Sequence, residues 1–154
     1  MGLILDYDTA NLLKKAKFDL PVRACYVRTY DIEKDCEFSE TRLLFNDTMR
    51  KAHTKNYNDE RHYADRPKVF CSAPTCDEAI EWFRTKGYII VLTPFPADNW
   101  YGFDWDIYQK GHGLILRGTF PLNGTYEERQ VSAIRAAVEY MLTEKSKHND
   151  DCRI

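Results

Sequence analysis

The stretch from Ala73 to Phe95 specifies one helix and the strand that follows it. Thr75 and Glu78 form an S/T-x-x-E capping box, in which each side chain accepts a hydrogen bond from the other residue's backbone N–H. Gly87 falls just past the predicted last turn, where a residue in the left-handed conformation closes a helix. The β-branched and apolar residues that follow predict a strand, which Pro94 ends. The chain must therefore join a helix to a strand through Gly87.

Length and charge exclude several classes of protein. The 154 residues carry a formal net charge of −2, with no apolar run of the ~18 residues that a membrane span needs. The length predicts a single domain over residues 1–154, with a polar excursion at about residues 31–66. Five cysteines at irregular spacings, with no secretory signal before them, predict reduced thiols in a cytoplasmic protein. The near-neutral charge argues against nucleic-acid binding, which requires a basic face.

Three strands and two capped helices define the predicted fold. Three segments either alternate between apolar and polar residues or are continuously apolar: 88–93, 103–109 and 114–119. Turn residues separate them, which predicts an antiparallel meander. A second capping box at Thr125 begins a closing helix that we expect to end near Glu144, with a frayed tail. The sequence thus predicts an α+β fold, in which helices pack on one face of a three- to four-stranded antiparallel sheet.

The first 66 residues give less definite signals. A short helix is predicted within residues 1–20, with Asp8 or Thr9 as its cap and a strand at 22–30 after it. Residues 39–53 fit a helix with Leu43 and Leu44 facing inward.

Two carboxylates on one predicted strand are the first candidate site. Asp104 and Asp106 share a strand face with Tyr108, while Trp105 and Ile107 occupy the opposite face. Carboxylates at i and i+2 can bind Mg²⁺ or Ca²⁺ or divide the roles of acid and base. An exposed polar face of an antiparallel strand is the alternative, because such strands normally alternate in this way. His112, in a Gly-His-Gly turn, is the nearest histidine in the sequence and the third candidate.

Aromatic and basic segments are further candidates. Trp100 and Tyr101 belong to a predicted proline-containing loop at 95–102. There they either stack on bases, anchor a protein partner or close the end of the core. The run from Arg50 to Lys55 either contacts phosphate or forms a solvated charge cluster. Histidines and cysteines at zinc spacing, nucleophile elbows and phosphate-binding glycine loops are absent from the sequence, so we expect no metal and no cofactor.

Three blocks of this sequence resemble a group of proteins. They are TANLLKKAKFDLP before the strand ACYV, then APTCDEAIEWFRTKGYIIVL, then TYEERQVSAIRAAVEYML, and together they cover about half of the chain. In this order the blocks resemble small uncharacterised proteins that phages and mobile elements of gut anaerobes carry. Their usual Lys-Gly-Phe at the first helix end is replaced here by the residues from Lys15 to Phe18, without glycine. The resemblance implies a small α+β accessory protein and implies no activity.

Three hypotheses about function follow. The first is a non-enzymatic accessory protein that binds another protein, or a second copy of itself, through the aromatic loop or the segment 31–66. The alternative is a small metal-dependent hydrolase or nuclease that uses Asp104 and Asp106. A weaker alternative is nucleic-acid binding through residues 50–55. The first hypothesis makes the protein a binding module and leaves it without catalytic residues.

Overall fold

A computed structural model describes most of the chain: residues 2–31, 36–45, 47–48, 51–52, 54–59, 68–97, 100–119 and 125–151. Its helices are α1 (Tyr7–Lys15), α2 (Cys76–Thr85) and α3 (Tyr126–Asp151). Its strands are β1 (Ala24–Asp31), β2 (Cys36–Phe45), β3 (Asp47–Thr48), β4 (Lys51–Ala52), β5 (Lys68–Ser72), β6 (Tyr88–Ala97), β7 (Trp100–Gln109) and β8 (Gly113–Thr119). The α+β class predicted from the sequence is confirmed.

The chain divides into two compact units rather than building on one sheet. Residues 4–78 form one unit, and residues 79–154 with residues 1–3 form the other. The first unit contains the sheet β2-β1-β5 and the small pair β3-β4, whereas the second contains the sheet β6-β7-β8. All these pairings are antiparallel. The single domain predicted from chain length stays a prediction, but the single sheet is replaced by two three-stranded sheets.

Both predicted capping boxes form. The Thr75 N–H donates to Glu78 Oε2 at 2.8 Å, and the Glu78 N–H donates to Thr75 Oγ1 at 3.2 Å. Thr125 and Glu128 repeat this exchange at 2.8 and 3.1 Å. Gly87 adopts a φ of +87° and closes α2, as its position predicts. Local sequence therefore determines where both helices begin and where α2 ends.

Helix α1 begins and ends on residues that the sequence signals missed. Its N-cap is Asp6, whose carboxylate accepts from the Thr9 N–H at 3.0 Å, so the predicted caps Asp8 and Thr9 are wrong. The helix closes at Lys17, which holds a φ of +72°. The Phe18 N–H then donates to the Leu13 carbonyl at 2.9 Å, which completes a Schellman motif with lysine in the position that glycine usually takes.

The helix predicted at 39–53 is wrong. Residues 36–45 form β2, which pairs with β1 over most of its length. Leu43 and Leu44, expected to face inward, are 36 % and 41 % exposed. The apolar spacing in this segment fits a helix, but hydrogen bonding to a neighbouring strand is a tertiary interaction that no local periodicity reports.

The second sheet is longer than predicted, and α3 packs against all three of its strands. Ile107 of β7 and Ile134 and Val138 of α3 are fully buried in this unit. Trp105 is half-buried, and its ring lies so close to Gly118 of β8 that a Cβ there would overlap the indole. Helix α3 continues to Asp151, so the frayed tail predicted after Glu144 is helical as far as that residue.

Candidate functional site

The candidate site is one face of the second sheet. Residues that stand directly opposite each other in an antiparallel pair project to the same side. Ile89 is opposite Tyr108, Val91 is opposite Asp106, and Asp106 is opposite Arg117. We define the outer face by the residues that share this side: Ile89, Val91, Thr93, Asp104, Asp106, Tyr108, Leu114 and Arg117. The predicted polar face of β7 is thus part of a larger surface that also contains aliphatic side chains.

The aliphatic residues of the outer face are well exposed. Ile89 is 55 % exposed and Val91 is 37 % exposed, whereas the preceding Tyr88 is only 8 % exposed. Leu114 of the neighbouring β8 strand is 45 % exposed. Single exposed aliphatic residues are common on proteins, but a group of them on one sheet face is a feature of interaction sites.

An ion pair lies at the centre of the outer face. Arg117 Nε donates to Asp106 Oδ1 at 2.7 Å, and Arg117 Nη2 donates to Asp106 Oδ2 at 3.2 Å. The Asp106 side chain is only 13 % exposed, while the Arg117 side chain is 63 % exposed. The hydrogen bond from Arg117 lowers the pKa of Asp106, and a weaker contribution comes from the Tyr108 hydroxyl. Asp106 is therefore held as a carboxylate by a fixed cation.

Asp104 lies on the same face in a different environment. It is half-buried and stands opposite Thr93 of β6. Its Oδ1 atom is buried and accepts no hydrogen bond from the part of the chain that the structure describes. A buried acceptor without a donor lowers the stability of a protein by about 1–3 kcal/mol. A partner that supplies a hydrogen-bond donor to this oxygen would therefore bind more favourably.

The two aspartates do not form a metal centre with the described residues around them. Arg117 engages both oxygens of Asp106, and a bound cation there would have to displace the guanidinium. Across the described ranges, no three His, Cys, Asp or Glu side chains are grouped so that they could hold a metal ion. The structure therefore brings Asp104 and Asp106 to one face, as predicted, but combines them with a cation.

The other predicted site residues are dispersed. His112 is exposed in the turn between β7 and β8, where its Nδ1 lies 3.4 Å from the Lys110 carbonyl oxygen. No described contact joins it to either aspartate. Trp100 and Tyr101 begin β7, opposite Ala97 and Pro96, so the loop predicted for them is wrong and their side chains lie outside the described part of the structure.

Most of the basic run at 50–55 also lies outside the described residues. Within it, Lys51–Ala52 forms β4, and Lys55 pairs its backbone with Val22. Lys55 is exposed, and the other basic side chains of the run lie outside the described part of the structure.

Sequence reasoning missed Arg117, Ile89 and Val91. The signal for Arg117 was available, because a two-stranded register between β7 and β8 puts an arginine opposite an aspartate. The signal for Ile89 and Val91 was ambiguous, because a continuous apolar strand is typical of a strand buried on both faces. The tertiary structure shows that β6 is buried on one side only, so Ile89 and Val91 are exposed.

Comparisons with protein-family models, with curated proteins and with solved structures returned no match. In the described part of the chain, no helix has both the length and the apolar character needed to span a bilayer.

Proposed function

We propose that this chain is a non-enzymatic binding protein that engages another protein through the outer face of β6-β7-β8. The observation that carries the proposal is the 55 % exposure of Ile89 beside Val91, on a face whose centre is an ion pair. Protein interfaces combine apolar contacts with hydrogen bonds, and arginine is enriched in them. The outer face has these components in one sheet.

The charges of the outer face indicate the chemistry of the partner. Asp104 and Asp106 contribute −2 and Arg117 contributes +1, so the described charged residues of the face sum to −1. The buried Oδ1 of Asp104 adds an acceptor to which the described residues bring no donor. We therefore infer a foreign protein whose contact surface is apolar and carries a lysine or arginine, since charge complementarity orients partners and suppresses wrong ones.

The geometry favours binding over hydrolysis. A general base or metal ligand needs a carboxylate that is free to reach substrate or cation. Both oxygens of Asp106 instead accept hydrogen bonds from the Arg117 guanidinium. The hydrolase hypothesis thus has less support than the binding hypothesis from the same two residues.

The wider role that we propose is that of an accessory protein of a phage or mobile element, acting in the cytoplasm. Its support is the ordered resemblance of the three sequence blocks and the irregular spacing of the five cysteines. A binding protein without an active site is compatible with such a role, because accessory proteins of this kind can act by occupying the surface of another protein.

The experiment compares two charge-introducing variants of the full chain. Ile89→Asp puts a carboxylate in the outer face, and Leu44→Asp puts one on β2, at a residue of similar exposure in the other unit (41 %). Proteins crosslinked to the wild-type chain in host extract are identified, purified and titrated against all three chains. We expect Ile89→Asp to weaken binding by at least about tenfold, and Leu44→Asp to leave it unchanged.

Two results would contradict the proposal. One is equal binding of the purified partner by wild type and Ile89→Asp. The other is a homodimer, detected by sedimentation velocity, that Ile89→Asp dissociates, since this would assign the outer face to a second copy of the chain.

A further inference from the structure

A polar cleft of about 520 Å³ lies in the first unit, and none of its lining residues belongs to the outer face. Its lining residues come from the end of α1 and from the turn before β5: Lys14, Lys17, Phe18, Asp19, Asn56, Asn58 and Asp59. The volume is within the range of about 300–1,000 Å³ that is typical of small-molecule sites. The lining is polar and charged, which favours a hydrophilic ligand.

Hydrogen bonds from Asn58 fix the walls of this cleft. Its Nδ2 donates to the Phe18 carbonyl at 2.8 Å, and its Oδ1 accepts from the Ser72 N–H at 2.9 Å. The Asn58 N–H donates to Asn56 Oδ1 at 3.0 Å. One side chain thus ties the end of α1 to β5 and to the turn, so that the cleft is formed before any ligand enters. Such preorganisation reduces the ordering cost of binding.

Lys17 has an unusual backbone for its place at the rim. Its φ of +72° belongs to the left-handed region, which glycine occupies freely and which strains other side chains. At the equivalent end of α2 the chain uses Gly87, with a φ of +87°. Lys14 and Lys15 already place positive charge in the last turn of α1, so Lys17 is not needed to complement the helix dipole.

Strained residues of this kind occur often at ligand sites. We propose that the cleft binds a small organic anion that also carries hydroxyl groups. Lys17 and Lys14 attract the anionic group, since a lysine ammonium is a common partner of phosphate and carboxylate. The carboxylates of Asp19 and Asp59 accept hydrogen bonds from the hydroxyl groups. The side-chain amide of Asn56, whose oxygen is engaged by Asn58, offers its N–H groups to the anion.

Two probes with different anionic groups test the proposal, and two fragments serve as controls. Ribose 5-phosphate and gluconate carry hydroxyl groups with a phosphate or a carboxylate, while ribose and inorganic phosphate each carry one half of that chemistry. Binding to the full chain is measured by isothermal titration calorimetry. We expect at least one of the two complete probes to bind at least about tenfold more tightly than either fragment.

Lys17→Gly separates a binding role from a structural one. Removing the strain should raise the melting temperature by about 2–4 °C, while binding of the complete probe should weaken at least about fivefold. Lys17→Arg should keep the binding, and Lys15→Ala, which removes a lysine outside the cleft, should leave binding unchanged. The proposal is overturned if neither complete probe binds, if a fragment binds as tightly as they do, or if Lys17→Gly binds as wild type does.

Discussion

Strands β1 and β6, one from each three-stranded sheet, differ in how many of their sides are covered. In β1 of the first sheet, Ala24 and Cys25 are adjacent and therefore point to opposite faces, yet they are 3 % and 5 % exposed. In β6 of the second sheet, Tyr88 is 8 % exposed and the adjacent Ile89 is 55 % exposed. Strand β1 is thus covered on both sides at this point, whereas β6 is covered on one side.

The same difference is found in the chemistry of their side chains. Burial raises the pKa of the Cys25 thiol to about 11, so that this cysteine stays protonated and behaves as an apolar residue. On the second sheet, the Arg117 hydrogen bond lowers the pKa of Asp106, which stays charged. A strand that is covered on both sides contributes to packing, and a strand that is covered on one side leaves the side chains of its other side exposed.

The largest expected effect separates the two faces of the second sheet. Ile107→Ala should lower the free energy of unfolding by about 2–5 kcal/mol, because Ile107 is fully buried beneath α3. Ile89→Ala, its control on the outer face, should change the same quantity by less than about 0.5 kcal/mol. Urea unfolding followed by circular dichroism measures both. Equal losses would mean that the outer face is packed and is not a surface.

A matched pair of valines compares the two sheets directly. Val27→Thr puts a hydroxyl into a site that is 2 % exposed in β1, which should cost about 1–3 kcal/mol. Val91→Thr makes the same chemical change on the outer face and should cost less than about 0.5 kcal/mol. The midpoints of urea unfolding report the difference. A large cost at Val91 would remove the contrast between the sheets.

The two capping boxes extend the comparison to the helices. Thr75→Ala should lower the free energy of unfolding by about 1–2 kcal/mol, and Thr125→Ala should lower it by about 0.5–1 kcal/mol. The difference is expected because the Thr75 hydrogen bonds are partly buried and those of Thr125 are exposed. Serine at either position should restore most of the loss, because its hydroxyl makes the same hydrogen bond. Equal losses of unfolding free energy at the two positions would show that burial does not change the stabilisation that these caps provide.

The smallest expected effect is that of Arg117→Gln, and it depends on pH. A carboxyl whose folded pKa is lowered contributes stability above its ordinary pKa of about 3.9, and this contribution is lost as the pH falls through the folded pKa. The variant should therefore be less stable than wild type at pH 7, with a difference that shrinks below about pH 4. An NMR titration should show the pKa of Asp106 rising in the variant.

The control for this experiment is Lys110→Gln, which removes a positive charge from the turn after β7 without touching the ion pair. It should leave the pKa of Asp106 close to the wild-type value. A pKa that responds equally to both variants would attribute the shift to general charge and not to the Arg117 hydrogen bond.

The capping boxes predicted from neighbouring residues are confirmed, whereas the helix predicted at 39–53 is wrong because residues far apart in the chain decide the structure of that segment. Capping boxes and Gly87 act within one or two turns, and those parts of α2 and α3 were predicted with their caps. The Lys17 closure was missed because a lysine in the left-handed conformation has no sequence signal of its own. The segment 39–53 was predicted as a helix because its apolar spacing fits one, while its pairing with β1 is a long-range choice.

The candidate site also combines features that local sequence predicts with features that depend on long-range contacts. Alternation along β7 was enough to place Asp104 and Asp106 on one face and Ile107 on the other. The role of that face depended on Arg117, which is eleven residues from Asp106 in sequence and reaches it only through the β7–β8 register. Exposure of Ile89 likewise depended on α3 covering the opposite side of the sheet.

By itself, the sequence determined where helices α2 and α3 begin, where α2 ends, and which residues alternate along β7, because caps and periodicity act between neighbours. The tertiary structure alone decided that the described strands form two separate three-stranded sheets, that one side of β6 stays exposed, and that a guanidinium holds Asp106. Strand pairing and burial join residues far apart in the chain, and their free energy exists only after those residues have met.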